Sequence, residues 1–257
     1  MNVLNDFPAY LLVLVRMTCF LMTAPVFSYR AIPTRFKVGL AAVFSLLITI
    51  TLSGNAIKIN GDYSLLLMKE AVVGLAIGFV GALLLYALQV AGAFIDLQMG
   101  FAMANLIDPG SGMQTPITGQ FFYIIMVVFF FSVDAHHMFL NGIYYSFQLI
   151  PLSQLTVPMT DGQTVHMIIE LFVKMFAIAL QMALPIVACL FLVDVAVGLV
   201  ARTVPQINVF VVGLPLKIGV GLLILFIAAP LYVMLIRELF DWSAEGMKNF
   251  MTWLGSP

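Results

Sequence analysis

Residues 71–95 run for 25 positions without a formal charge, and residues 175–193 and 218–236 run for 19 each on the same terms. A hydrocarbon core about 30 Å thick is crossed at about 1.5 Å per residue, so about 20 apolar residues span it. The run 7–27 is also about one bilayer long and is interrupted by Arg16. Three or four segments therefore meet the standard for a spanning helix. Residues 38–51, and the two halves 121–133 and 138–150 on either side of Asp134, fall short. They read as half-helices, or as helices sheltered by protein and not by lipid. The runs are too long and too uniform for strands and lack the alternation of an outer-membrane barrel. The fold class expected is an all-α, membrane-type protein with broken helices.

Composition supports this reading. Of 257 residues 63% are hydrophobic and 9% are charged, against about 25% charged in a typical soluble domain. Eleven Lys and Arg stand against twelve Asp and Glu, so nothing points to a protein that neutralises nucleic-acid phosphates. Cys19 and Cys189 lie in apolar stretches and read as small core hydrophobes. Residues 1–15 hold no basic residue and no small-residue cleavage pattern follows, so the first apolar segment is expected to be retained. Gly74, Gly78, Gly81 and Ala82, then Ala87, Ala91 and Gly92, recur at spacings that let two helix backbones approach closely.

Between the apolar runs lie polar or Pro-broken stretches: 28–37 with three positive charges, 96–120 without Lys or Arg, 151–164, and the charge-bounded 202–217. The positive-inside rule puts 28–37 in the cytoplasm. Counting onward leaves the two sides nearly tied, and no orientation follows.

Arg16, Asp96, Asp134, Lys174, Asp194 and Arg202 lie within or at the ends of apolar segments. A charge near mid-bilayer costs roughly 2.5–3.5 kcal/mol on insertion scales. Each is expected to face a partner, a water-filled cavity or another subunit. Pairing between helices is favoured over a proton relay through Asp134, His136, His137 and Asp194. His136 and His137 are adjacent and should point in different directions on a helix, so with Asp161 and His166 they make only a weak metal site. No phosphate loop, nucleophile elbow or H-E-x-x-H occurs. The chain is expected not to be an enzyme and to need no cofactor.

The stretch 98–120, QMGFAMANLIDPGSGMQTPITGQ, is the most unusual. It leaves a long apolar helix carrying Met99 and Met103 four residues apart, then breaks at Asp108-Pro109-Gly110-Ser111-Gly112 and continues to Met113. Unbranched, polarizable Met side chains fill irregular gaps, so such a segment can form a compliant seal.

With its flanks, this stretch (AGAFIDLQMGFAMANLIDPGSGMQTPITGQFF, 91–122) resembles the signature of the FliR family of type III secretion export-gate proteins. Three other stretches also match. Arg16, Pro25, Pro33 and Arg35 keep an R…P…P-x-R spacing. Asp134-Ala135-His136-His137 with Ser146-Phe147 and Pro151 resembles a (D/N)GHH…SF…P stretch, with Ala135 where Gly is usual. DVAVGLVARTVPQINVFVVGLPLK (194–217) resembles D-x-x-x-G-x-x-x-R-x-x-P-Q-x-N-x-F-x-x-G-x-P-x-K. The match runs nearly end to end.

The resemblance implies one export-gate domain over 1–257, with a FliP-like front part (about 1–165) fused to a FliQ-like rear part (about 166–257) in long helical hairpins. It implies a hetero-oligomer with FliP and FliQ, with FlhB and FlhA nearby, in the bacterial inner membrane at the flagellar basal body. Rod proteins and unfolded flagellar subunits would pass through it. The resemblance also assigns channel closure to Met99, Phe101, Met103, Asn105, Asp108, Pro109, Gly110, Ser111, Gly112, Met113 and Thr115. Subunit-interface residues are expected at Arg16, Arg35, Asp194, Arg202, Gln206, Asn208 and Lys217, with Arg16 and Arg35 pairing with acidic groups on adjacent helices. A homologous gate subunit of a virulence-type system stays open as an alternative, as does a secondary transporter using Asp134 and Asp194.

Overall fold

The computed structural model describes residues 3–29, 31–52, 61–83, 85–101, 116–155, 162–204, 206 and 208–255, with residues 3–6 and 209 described by their helical backbone only. Among the described residues the regular structure is helical: α1 (Val3–Thr23), α2 (Thr34–Thr51), α3 (Tyr63–Leu83), α4 (Tyr86–Met99), α5 (Ile117–Ser132), α6 (Ala135–Leu149), α7 (Gly162–Thr203), α8 (Val209–Ile227) and α9 (Ala229–Leu254). Four of these, α2, α3, α7 and α8, are long and apolar enough to cross a membrane. The chain is an all-α membrane protein, as its composition requires.

The helices do not coincide everywhere with the apolar runs. The run 71–95 is divided between α3 and α4, and 218–236 between α8 and α9. The second break falls at Ala228, whose N–H caps the carbonyls of Ile224 and Phe226, with Pro230 in the first turn of the next helix. Residues 202–217 are not a linker throughout, because α8 begins at Val209 and carries Pro215 inside it. The interruption at Asp134 is as the sequence implies. Asp134 adopts the left-handed conformation (φ 54°) between α5 and α6. Cys189 is exposed on α7 and Cys19 is half-buried, so Cys189 is not the core residue its apolar neighbours imply.

The chain folds as two compact units, each drawing on both the front and the rear of the sequence. The first holds Met1–Leu85, Asp134–Phe172 and Phe240–Pro257. Here α1 packs along α3. A Cβ at Gly74 would strike the Arg16 carbonyl, and one at Gly78 would strike the Thr23 side chain and the Phe20 carbonyl, so these glycines allow the two backbones to touch. The rear part of α9 adds an apolar stripe of Phe240, Met247, Phe250, Met251 and Leu254, all at most 1% exposed. Buried Ser243 on the same stripe donates to the Gly81 carbonyl.

A buried ion cluster links α1, α3 and the end of α6 in this unit. The Arg16 guanidinium grips Glu70 through Nε and, at 3.0 Å, through Nη2. It also donates to Ser146 Oγ at 3.1 Å and to the Ile150 carbonyl at 2.9 Å, and it lies 4.3 Å from the Phe147 ring centre. Lys69 pairs with Glu70 at 2.5 Å and donates to the Pro151 carbonyl at 3.1 Å. Arg16 and Glu70 are both 0% exposed. The bidentate fork and the extra acceptors compensate the desolvation of the two charges.

The second unit holds Tyr86–Val133 and Val173–Leu239. Here α4 packs on α5, and Gly92 meets Gly119 so closely that a Cβ on Gly92 would overlap the Gly119 backbone. Within α7, Pro185 lacks the N–H that would bond the carbonyl one turn earlier. Nearby, the buried Tyr232 hydroxyl donates to the Met182 carbonyl at 3.0 Å, and its ring centre lies 4.9 Å from that of Phe122, inclined at 52°.

Two outcomes follow. Glu70→Ala leaves Arg16 buried without its anion and should destabilise the detergent-solubilised protein by about 3–5 kcal/mol. The double variant Arg16→Met/Glu70→Leu should lose much less than the sum of the single changes, measured by chemical unfolding. Gly92→Ala should cost about 1–3 kcal/mol by forcing α4 off α5, whereas Gly39→Ala, which meets nothing within 4 Å, should be neutral or slightly stabilising.

Candidate functional site

The candidate closure segment leaves α4 at its C-terminus and rejoins the chain at α5, and both roots are fixed by side chains. Asp96, 5% exposed in the last turn of α4, accepts from the Thr118 backbone N–H at 3.2 Å to each carboxylate oxygen. The Thr118 hydroxyl donates to the same carboxylate. Thr118 lies in the first turn of α5, where backbone N–H groups have no helical acceptor, and the Asp96 carboxylate supplies one from another helix. One buried acidic group thus ties the exit of the segment to its return, 22 residues later.

Two residues on from Asp96, Gln98 donates to Asp194 Oδ2 at 2.9 Å. The other oxygen of Asp194 pairs with Lys217 on α8. This chain of contacts joins α4, α7 and α8. The Asp194 side chain is 39% exposed and that of Lys217 is 21% exposed, so water weakens the pair and its role is chiefly to set register.

Met99 follows, 0% exposed, with its thioether methyl in the notch left by Gly221 on α8. The helix stops at Gly100, where φ is +89° and the N–H caps the Asp96 carbonyl at 3.1 Å. Only glycine takes this backbone conformation without strain, and a Cβ there would also press on Leu214. Phe101 is half-buried. Of the remaining closure residues, Met103, Asn105, Asp108, Pro109, Gly110, Ser111, Gly112, Met113 and Thr115 lie outside the described residues.

The residues expected at a subunit interface are placed differently from one another. Arg16 finds its acidic partner inside its own unit and is fully buried there. Arg35 lies exposed in the first turn of α2 and, among the described residues, makes no ion pair. Asp194 and Lys217 pair with each other. Arg202 and Gln206 are exposed around the break before α8. Asn208 is exposed too, and its side chain caps α8 by accepting from the Phe210 N–H at 3.1 Å. The structure thus brings Asp194 and Lys217 together.

His136 and His137 do not diverge as their adjacency implies. Their ring centres lie 4.2 Å apart, inclined at 37°, because rotation about the two Cα–Cβ bonds offsets the angular step between neighbours on α6. Asp134 joins them to form a group of three metal-ligating side chains.

The sequence alone did not single out Glu70 and Lys69. They abut the uncharged run 71–95 and look like the flanking charges of a span. A signal was present in the adjacent opposite charges at that edge, which together can satisfy one buried arginine.

The chain matches the family model described as "Bacterial export proteins, family 1" over residues 7–242. It is 44% identical over 255 residues to the flagellar biosynthetic protein FliR of Bacillus subtilis (strain 168), covering 99% of this chain and 98% of that protein. It is 28% identical over 235 residues to the FliR protein of Escherichia coli (strain K12), covering 89% and 87%. It is also 34% identical over 163 residues to the Yop proteins translocation protein T of Yersinia pestis, covering 63% and 62%. By the family model and by 44% identity to a FliR protein over nearly its whole length, the chain belongs to the bacterial export proteins, family 1.

Proposed function

We propose that this chain is a non-catalytic subunit of the flagellar type III secretion export gate. Residues 100–118 close the channel through which unfolded flagellar subunits pass. The flagellar form is favoured over the virulence form because similarity to FliR proteins runs along nearly the whole chain, whereas similarity to translocation protein T covers 63% of it. The relatives' names support the role in export, and the anchored roots of the segment support the role in closure.

One observation carries the reading that sister subunits cover this chain. Apolar side chains are exposed along α7 from Val165 and Phe176 through Leu184 and Phe191 to Val200. That stripe is about 53 Å long at about 1.5 Å per residue. As a straight rod, a stretch of that length would fit a hydrocarbon core about 30 Å thick only at a tilt of about 55°, beyond the usual 0–40°. It would also immerse Glu170 and Lys174, both exposed on the same helix, at a further cost in free energy. Acyl chains cannot cover the whole stripe, and apolar helices of other proteins can. Phe210 and Phe226 on α8, 77% and 81% exposed, extend the surface that such helices would bury.

In this arrangement the front part (1–165) takes the place of a FliP-like subunit and the rear part (166–257) that of a FliQ-like one. FliP and FliQ are the immediate partners, FlhB and FlhA lie nearby, and rod proteins continue the conduit at the basal body in the inner membrane. The Asp96–Thr118 clamp fixes where the closure segment begins and ends. The apolar Met99 and Phe101 form its base. An apolar, deformable barrier blocks ions and still yields to a chain, whereas breaking a buried ion pair at each passage would cost about 3–5 kcal/mol.

Deleting residues 111–115 should make cells that overproduce the gate leaky to ions, and unchanged permeability would remove the closure role. Asp96→Asn combined with Thr118→Val should give a smaller leak with the segment intact, read by the same ion-flux assay. Lys217→Glu should lower recovery of FliP and FliQ on co-purification. Adding Asp194→Lys should restore recovery if Lys217 acts through its pair within the chain. Continued loss would assign Lys217 a direct contact with a neighbour.

A further inference from the structure

We propose that Asp134, His136 and His137 bind one divalent transition-metal ion of the zinc class. The proposal does not depend on the role of the chain in export. Each of the three side chains offers one donor atom, and the three donors all lie within 4.8 Å of one another. Zinc–nitrogen bonds of about 2.0–2.1 Å in tetrahedral geometry set donors about 3.3 Å apart. The donors thus lie within about 1.5 Å of that spacing, a gap that side-chain rotation can close.

The local backbone already arranges the donors. Asp134 stands at the N-cap of α6 in the left-handed conformation, a region Asp tolerates better than most residues. An N-cap aspartate usually accepts a hydrogen bond from its own first turn, and this one makes no such cap bond. Its carboxylate is therefore not committed to the helix. Ala135, fully buried, anchors the turn beneath it. The His137 N–H bonds the Asp134 carbonyl at 2.9 Å, which fixes the backbone of the first turn. The imidazole rings converge to 4.2 Å. Asp134 and His137 are exposed, so an ion and its waters can reach the site, while His136 is half-buried.

Donor chemistry selects the ion. Two imidazoles and one carboxylate suit Zn²⁺, Co²⁺, Ni²⁺ or Cu²⁺, whereas Ca²⁺ and Mg²⁺ prefer oxygen donors alone. Three protein ligands leave at least one coordination position for water or for a group on a neighbouring protein. Because all three ligands come from four consecutive residues, closing the chelate orders little additional chain. A bound ion would hold the Asp134 turn to the start of α6.

The test uses the full-length chain purified in detergent with a tag that contains no histidine. Zn²⁺ is titrated by equilibrium dialysis, and Co²⁺ is followed by its visible absorption. One ion per chain is expected, released by a chelator. The chain has three histidines, so His166→Gln is an internal control that should keep full occupancy. Asp134→Asn and His137→Gln, both at exposed positions, should each weaken binding at least about tenfold. His136→Gln combined with His137→Gln should abolish it. Occupancy far below one ion per chain at saturating Zn²⁺ would overturn the proposal. So would undiminished affinity in His137→Gln, or a loss of binding in His166→Gln equal to that in the double variant.

Discussion

A guanidinium cannot be left alone in an apolar interior, and much of the first unit is arranged around that constraint. Arg16 is fully buried. It makes four hydrogen bonds, two to Glu70 on α3, one to Ser146 on α6 and one to the Ile150 carbonyl just beyond α6. Each acceptor has a fixed direction, so satisfying the fork sets where α3 and the end of α6 stand against α1. Glycines at 74 and 78 then let α3 approach near enough for the ion pair to form. Replacing the cluster by well-packed apolar residues would cost little stability, because buried pairs roughly break even against hydrophobic isosteres. What the cluster supplies is direction: apolar contacts alone would allow these uniform helices to slide or rotate.

The second unit uses the same device at lower cost. Two of its polar groups, Asp96 and Asn208, stand at helix ends and accept from backbone N–H groups of a first helical turn. Asp96 binds the first turn of α5, and Asn208 caps α8. Asp194 draws Gln98 and Lys217 together near water, where a pair contributes little energy and sets register. The contrast is physical. A fully buried arginine demands a complete shell, while a half-exposed aspartate can leave some of its coordination to solvent.

Much of this was legible in the sequence, because a charge in an apolar run announces that a partner exists. The stretches that carry the family resemblance turn out to meet. Arg16 contacts Ser146 and Phe147, and Lys69 of the same cluster reaches Pro151. Asp194 and Lys217, the two ends of one motif, pair with each other. The break at Asp134 was legible because charge and adjacent histidines interrupt an otherwise apolar pattern. Helix ends inside uncharged runs were not legible. Nothing in the composition of 71–95 marks the division between α3 and α4, and the break at Ala228 depends on capping and on Pro230. The identity of Arg16's partner was hidden for a different reason. Glu70 sits one residue before an uncharged run, and one dimension does not distinguish a charge at the membrane edge from one turned into the core. The convergence of His136 and His137 depended on side-chain rotation, which spacing along a helix does not determine.

A gate that closes with a chain segment faces two opposed demands. The segment must return to one place after each passage, and it must deform easily during passage. Both are met if order is concentrated at the roots and softness above them. At the roots the Asp96 carboxylate binds Thr118 three times, Gly92 and Gly119 lock α4 to α5, and Met99 fills the notch at Gly221. None of these contacts involves residues 102–115, so displacing that stretch need not break any of them. Its own sequence holds Asp108 as its single formal charge, between Gly, Met and other small or apolar residues. In the proposed closure role, such a composition would seal by filling space instead of by a fixed polar partner. A barrier of this kind reopens at the cost of dispersion contacts that the passing polypeptide itself replaces, and that exchange can be close to balanced at every step of passage.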